Sequence, residues 1–341
     1  MVRSLTYQVA ALTIALTLIA LMIVAVGAAP LQVAIKMWFG AFGTVDQFAR
    51  VVATLAPLLL CASGLLFTFT AGLYNLGIEG QIAFGAIVAT AVIRLTENNL
   101  PPPIVIGLAI LGGGGGGIVW GLLAGSLKVY GKINEIFAGL GLNFVADGLA
   151  LYLILGPWKK TGVASMSGTE QFSPAVWLPT FGSTDASPIA LFLAVLAAAS
   201  TLLILRGTHF GLQLRAVGLN LRAAYILGIP SVQRLLSAFA ICGGLAGVAG
   251  ALQVLAVFHR LIPSISSNLG YLALLVAMLA GANVWLILPI AFFFSALNIG
   301  SLQLPLELNL ESSLAGVIQG TLVLLALLGR GMAARPAVKR E

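Results

Sequence analysis

The chain has 341 residues, of which 60% are hydrophobic and 8% charged, with 40 glycines and a net charge of +7. A soluble domain carries about 25% charged residues, so this chain cannot cover a water-facing surface. That excludes a cytosolic globular enzyme, a nucleic-acid reader and a disordered scaffold, and the long unbroken apolar runs select membrane helices over the alternating strands of a barrel.

The first apolar run, Val9 to Ala29, follows a single basic residue, Arg3. Gly27-Ala28-Ala29 has the small residues of a signal-peptidase site. The run is longer than the roughly 7–15 residues of a signal-peptide core, which predicts an uncleaved span. Further runs lie at 50–70, 81–96, 103–127, 135–156, 188–205, 234–257, 270–282, 284–303 and 312–329. Crossing the hydrocarbon needs about 20 residues, so the short run at 270–282 predicts a broken or re-entrant helix. The expected fold is an all-α polytopic membrane protein of about ten transmembrane helices. These divide into two five-helix halves, and an odd number per half forces opposite orientations, the inverted-repeat plan of many transporters. The expected organisation is a first transmembrane half at 1–156, an extracytoplasmic loop at 157–187 and a second half at 188–330. The second half contains a cytoplasmic loop at 206–233, and a cytoplasmic tail occupies 331–341.

Lysine and arginine set orientation. With the N-terminus inside, eleven of the 17 basic residues fall on the cytoplasmic side, and both termini lie there. Four of the eleven, Arg206, Arg215, Arg222 and Arg234, lie in or beside the loop at 206–233. The positive charge is thus a topology signal.

Within the first half, the segment from Ala71 to Gln81 breaks an apolar run with three glycines and the polar residues Asn75, Glu79 and Gln81. Glycine permits unwinding, and irregular backbone at membrane depth is tolerated only beside protein or a water-filled cavity. The segment reads either as the lining of a path or as a tight turn with a capped helix after it. Asn75-Leu76-Gly77 recurs as Asn268-Leu269-Gly270 after the second run of the second half, nominally on the opposite side of the membrane. That repetition marks Asn268 and the following Tyr271 as further path candidates, beside Asn75, Glu79 and Gln81. Phe67, Phe69, Tyr74 and Phe84 flank the first break.

The six glycines Gly112 to Gly117 lie inside a span, followed at fourth-residue spacing by Gly121 and Gly125. Cys242, Ala246 and Gly250 repeat likewise, beside Gly243 and Gly247. Small residues so spaced let helix backbones approach; a gating hinge is the alternative. Asp147 lies mid-span one turn from Asn143, and reads equally as a structural acid or a pathway residue. Cys61 and Cys242 read as small buried hydrophobes. His209 falls in the inner loop and His259 near the outer surface, so they cannot share a catalytic site. Gly131-Lys132 continues with Ile133, which is not a nucleotide-binding loop.

The inner loop runs from Gly211 to Pro230. Asn220 is placed to cap a short helix, and Gly228 and Pro230 to end it. Its surface suits a gripping partner or anionic lipid.

These segments resemble a known family. Gly72-Leu-Tyr-Asn-Leu-Gly-Ile-Glu-Gly-Gln81 is similar to the GLFNIGxEGQ segment of bacterial ABC importer permeases for nucleosides, within the branched-chain amino acid and simple-sugar permease family. Leu214 to Asn220, continuing through Ala223-Ala224 and Gly228-Ile229, resembles that family's LRAVGxNxxAAxxxGI cytoplasmic loop. Asn134-Glu135 with Leu142-Asn143, and His259-Arg260-Leu261, resemble further family segments. The resemblance implies a permease subunit that moves nucleosides inward by alternating access. It also implies a separate cytoplasmic ABC ATPase, a second permease subunit, identical or not, and an extracytoplasmic substrate-binding protein. Arg215, Asn220, Arg222, Ala223, Ala224, Gly228 and Pro230 are then expected to form the loop that couples to the ATPase. No cofactor is expected on this chain, since ATP and Mg belong to the ATPase, and the chain itself is expected to be no enzyme. The implied location is the bacterial inner membrane. A simple sugar such as ribose is the alternative cargo, and an ion-coupled secondary transporter or channel the alternative class.

Overall fold

The computed structural model describes residues 2–160, 168–281, 283–308, 310–311 and 313–334. Every regular element among the described residues is helical. The residues at 161–167 of the expected outer loop, and Arg335, Lys339 and Arg340 of the expected tail, lie outside the described residues. The chain forms two compact units, one spanning Val52–Ala291, the other joining the residues up to Val51 to those from Phe292 onward.

In the smaller unit, α1 (Val2–Ala25) and α2 (Pro30–Phe42) meet at a 100° bend. The sequence explains it. Gly27 takes a left-handed φ of +85° and ends α1, and Pro30 starts α2 at the one turn that tolerates a missing N–H. Helix α2 was not among the expected runs, because Gln32 and Lys36 break its apolar pattern. Its buried stripe is Val33, Met37, Gly40 and Ala41. It packs into a core with Ile19 and Ile23 of α1, Leu304 of α13 (Gln303–Leu308), and Ala315 and Ile318 of α14 (Leu314–Ala334). Lys36 pairs with Glu307 at the half-exposed edge.

The larger unit holds α4 (Ile78–Thr96), α5 (Pro102–Val129), α6 (Glu135–Leu155), α7 (Pro188–Gly207), α8 (His209–Leu219), α9 (Leu221–Ile226), α10 (Ser231–Leu252) and α11 (Leu269–Ala280). Helices α3 (Val45–Thr70) and α12 (Ile287–Ser301) each run across a unit boundary. Seven helices are long and apolar enough to cross a membrane, or eight if the bent α1–α2 pair is one span. All ten expected runs fall on helices, of which seven or eight are long enough to cross a membrane; α11, at the run expected to be broken or re-entrant, has 12 residues, about 18 Å at 1.5 Å per residue, well short of the hydrocarbon. The apolar part of α14 is likewise short, Leu314–Gly329.

The six-glycine run does not interrupt α5, which is one continuous helix. A Cβ on Gly117 would fall onto the carbonyl oxygen of Gly243 and 2.7 Å from the Cα of Gly247. One on Gly113 would lie 2.8 Å from Ala251, and one on Gly116 2.7 Å from Val88. The run therefore presents backbone to α10 on one side and to Val88 and Val92 of α4 on the other. Lipid supplies no hydrophobic drive between helices, so this close approach is the source of attraction. Packing, not hinging, is what the glycines do in this conformation.

Candidate functional site

The site is built on the break between α3 and α4. Gly72 adopts φ +76° after the last turn of α3, and the Leu73 amide donates back to Thr68 O at 2.9 Å while Gly72 donates to Phe69 O at 3.0 Å. This closure satisfies the end carbonyls of α3 as a glycine C-terminal motif does. The chain then runs non-helically to Gly77, the N-cap of α4. Gly77 is required here because α6 lies against it: a Cβ there would come 3.0 Å from the Cα of Gly139.

Asn75 and Gln81 are fully buried and pair amide to amide. Asn75 Nδ2 donates to Gln81 Oε1 at 3.1 Å, and Gln81 Nε2 donates back to Asn75 Oδ1 at 3.4 Å. Asn75 Nδ2 also reaches Cys242 Sγ on α10 at 3.2 Å. Cys242 is therefore a hydrogen-bond acceptor as well as the small buried residue expected.

Asn143, absent from the expected path residues, is the joint of the site. Its Oδ1 accepts from the Gly80 amide at 2.8 Å; its Nδ2 donates to Leu76 O at 2.9 Å and to the Tyr271 hydroxyl at 3.4 Å. One side chain thus binds the break, the first turn of α4 and α11 to α6. The signal in the sequence was a lone asparagine in the middle of an apolar run. Asn143→Ala is expected to orphan the buried Gly80 amide and Leu76 carbonyl, at about 1–3 kcal/mol each. Thermal unfolding in detergent should show a large drop for Asn143→Ala and a smaller one for Asn143→Asp, which keeps the acceptor for Gly80. Equal melting of all three forms would contradict the joint.

Glu79 is 5% exposed. Its Oε1 accepts from the Tyr271 amide at 3.0 Å. Gly270 and Tyr271 are the second and third residues of α11, whose own N-cap, Asn268, gives no side-chain cap. Glu79 therefore caps α11 from across the fold. It also sits in the first turn of its own helix, so two positive helix ends surround one carboxylate. Gly270 lets them touch, since a Cβ there would lie 2.8 Å from Ile78 and 3.1 Å from the Glu79 amide nitrogen. The two Asn-Leu-Gly copies thus meet in one place. Asn268 itself is turned outward: exposed, left-handed at φ +62°, and engaged through its carbonyl, which accepts from Leu272. Tyr271 is 38% exposed and stands at the edge of the cluster.

The loop between α7 and α10 folds as α8 and α9. Asn220 Oδ1 accepts from the amides of Arg222 at 3.1 Å and Ala223 at 3.0 Å, and α9 ends where Gly228 takes φ +79° ahead of Pro230. Leu219, Tyr225, Ile226 and Leu227 are 88%, 74%, 76% and 78% exposed, an apolar knob beside exposed Arg222 and Ala223. Arg215 instead ties α8 to α7 through Leu205 O at 2.6 Å, and Ala224 is buried beneath α9. Beneath the knob, a Cβ on Gly218 would fall onto Thr70 O, and one on Gly72 would lie 3.0 Å from Gly218 O. The α8–α9 pair thus touches the α3–α4 break backbone to backbone.

On the other flank, residues of the 157–187 loop close over the end of α10, where a π-helical turn (Gln253–Phe258) gives way to left-handed His259. Leu178 donates to Leu255 O at 3.1 Å, Phe172 to His259 O at 3.0 Å and Thr169 to Leu261 O at 2.8 Å. Trp177 stacks on His259 at 3.8 Å between ring centroids. Burial holds the His259 ring below the usual histidine pKa, against the opposing pull of Leu255 O and Asp185.

The family described as "Branched-chain amino acid transport system / permease component" matches residues 47–327. The chain belongs to that family. It is therefore an ABC transporter permease and a multi-pass membrane protein. Among its relatives, the guanosine ABC transporter permease protein NupP of Bacillus subtilis is 27% identical over 293 residues, 84% of this chain and 83% of its own. The nucleoside ABC transporter permease protein NupB of Lactococcus lactis is 24% identical, over 83% and 79%. The glucose ABC transporter permease protein TsgB13 of Haloferax volcanii is 26% identical, over 83% and 75%. A solved structure, PsaBC from Streptococcus pneumoniae in complex with Fab, aligns over 90% of this chain at 17% identity and a TM-score of 0.45, a likeness too slight to fix the topology of this permease.

Proposed function

We propose that this permease carries nucleosides inward, as one of two permease subunits driven by separate cytoplasmic ATPases. The observation that carries the reading is the Gly72–Gln81 break, built as a buried amide network that ties three helices together and sits against the α8–α9 knob. Relatives named for guanosine and nucleosides support the cargo. An extracytoplasmic binding protein delivers the substrate, and Asn75, Glu79, Gln81, Asn268 and Tyr271 belong to the elements that bound the path. Asn220, Arg222, Ala223 and the exposed Tyr225–Leu227 face of α9 engage the ATPase, with Arg215, Ala224, Gly228 and Pro230 holding α8 and α9 in shape. The chain binds no cofactor of its own. It sits in the bacterial inner membrane with both termini cytoplasmic, in two inverted halves at 1–156 and 188–330, with an outer loop at 157–187.

ATP acts only if it favours one conformation over the other. In this reading the knob is where that preference enters, and the break is where it is felt.

The expected result is uptake of labelled guanosine in cells expressing the whole transporter, competed by unlabelled nucleosides well below the concentrations at which ribose or glucose compete. The reverse order would transfer the proposal to sugars, which the glucose relative favours. Uptake unaffected by loss of the ATPase would instead point to an ion-coupled carrier.

A further inference from the structure

Five polar residues gather around the break, α4, α6 and α11. Four have their bonds within the protein: Glu79 caps α11, Asn143 joins three segments, and Asn75 and Gln81 hold each other. Asp147 does not. It lies one turn beyond Asn143 on α6, in the middle of the Glu135–Leu155 span. It is half-buried and near enough to Glu79 for their charges to repel, and among the described residues no cation or hydrogen-bond donor engages it. A carboxylate at that depth cannot face lipid and is expected to face a polar passage.

Its surroundings complete a site. The Tyr271 hydroxyl accepts from Asn143 at 3.4 Å, which leaves its own proton available. The indole N–H of Trp120, 8% exposed, also lacks a partner and lies 2.9 Å from where a Cβ of Gly80 would sit, beside Asn143 Oδ1. Phe144, on the turn before Asp147, exposes 79% of its surface, and Gly148 leaves open space beside it. A carboxylate offers only acceptors, and a tyrosine O–H one donor. A sugar hydroxyl donates to the first and accepts from the second.

We propose that Asp147 and the Tyr271 hydroxyl form a substrate contact on the transport path that binds the vicinal hydroxyls of a sugar ring, with Phe144 beside them to stack a base. Acidic side chains hold ribose hydroxyls in the same way at dinucleotide sites. The proposal rests on the reading of this chain as a permease for nucleosides or sugars and assigns the specificity of that path to a residue pair.

The test compares uptake rates at substrate concentrations well below half-saturation, in cells holding the complete transporter, for guanosine and 2′,3′-dideoxyguanosine. Wild type should favour guanosine. Asp147→Ala should lower guanosine uptake about 10- to 100-fold, the worth of a hydrogen bond to a charged group, and leave the dideoxy rate nearly unchanged. Asp147→Asn should recover part of the loss, and Tyr271→Phe should reproduce a smaller part, with all variants at wild-type membrane levels. An equal fall for both substrates, or an unchanged preference, overturns the proposal. If wild type moves glucose and not guanosine, the nucleoside cargo fails, and the same variants must erase the preference for glucose over 2-deoxyglucose or the diol contact fails too. A wild type that moves neither pair overturns both.

Discussion

Gly117→Leu is expected to abolish the folded permease, whereas Gly115→Ala, two residues earlier in the same run, is expected to leave it as stable as wild type or slightly more so. At Gly117 a Cβ meets main chain on α10, the carbonyl of Gly243 and the Cα of Gly247, neither of which can rotate away. A leucine must force α5 and α10 apart along their length. Overpacking of this kind costs about 1–3 kcal/mol in a soluble core, and sometimes more. Here it also forfeits the dispersion contacts that stand in for the hydrophobic effect in lipid. Gly115 is exposed, with nothing within 4 Å of its Cβ position. Alanine there only removes the entropic cost of a helical glycine, about 0.5–1 kcal/mol. Membrane level and unfolding temperature in detergent measure both. If Gly117→Leu melts with wild type, the backbone contact between α5 and α10 is wrong and the run regains its reading as a hinge.

How far the sequence could be read depended on whether a feature was local. The spans at 81–96, 103–127 and 135–156 became α4, α5 and α6 to within a few residues, since an apolar run long enough to cross lipid has little choice but to be helix. Helix α2 escaped because its buried stripe is every third or fourth residue in a stretch that also carries Lys36, and its reason for folding is the core it shares with α1 and α14. At the site, Asn75 and Gln81 stood out because glycines and polar groups cluster there. The role of Asn143 was hidden, since it exists only once α6 lies beside α4, partners 63 residues apart. Glu79 stood out as a polar residue in the break, but nothing in the sequence showed that it caps a helix 192 residues away. Asn268 shared a tripeptide with Asn75 but not its environment: its left-handed backbone turns the side chain outward.

The second large effect is expected at Gly218. It is half-buried against the turn at 70–72, and Gly218→Val should stop uptake while the ATPase still binds. The residue lies at the end of α8, and a Cβ there would collide with Thr70 O and lie 3.0 Å from the carbonyl carbon of Ala71. The contact is main chain against main chain, so a displacement of α8–α9 passes without slack into the turn at 70–72. From there it continues through Leu76 O and the Gly80 amide to Asn143, and through Glu79 to the first turn of α11. Valine pushes the two backbones apart and interrupts the first step. Coupling free energies of about 1–3 kcal/mol are typical, so losing the contact is expected to lower uptake by about tenfold or more. Tyr225→Asp makes the complementary case. Tyr225 is 74% exposed on the knob, and a charge there should release the ATPase altogether. Co-purification of the ATPase, its basal hydrolysis and guanosine uptake, measured together, separate the two. Gly218→Val should keep the first two and lose the third; Tyr225→Asp should lose the first along with uptake. If Gly218→Val also sheds the ATPase, Gly218 shapes the docking face and does not transmit its motion. If it transports at the wild-type rate, the route from the knob to the site does not pass through the break.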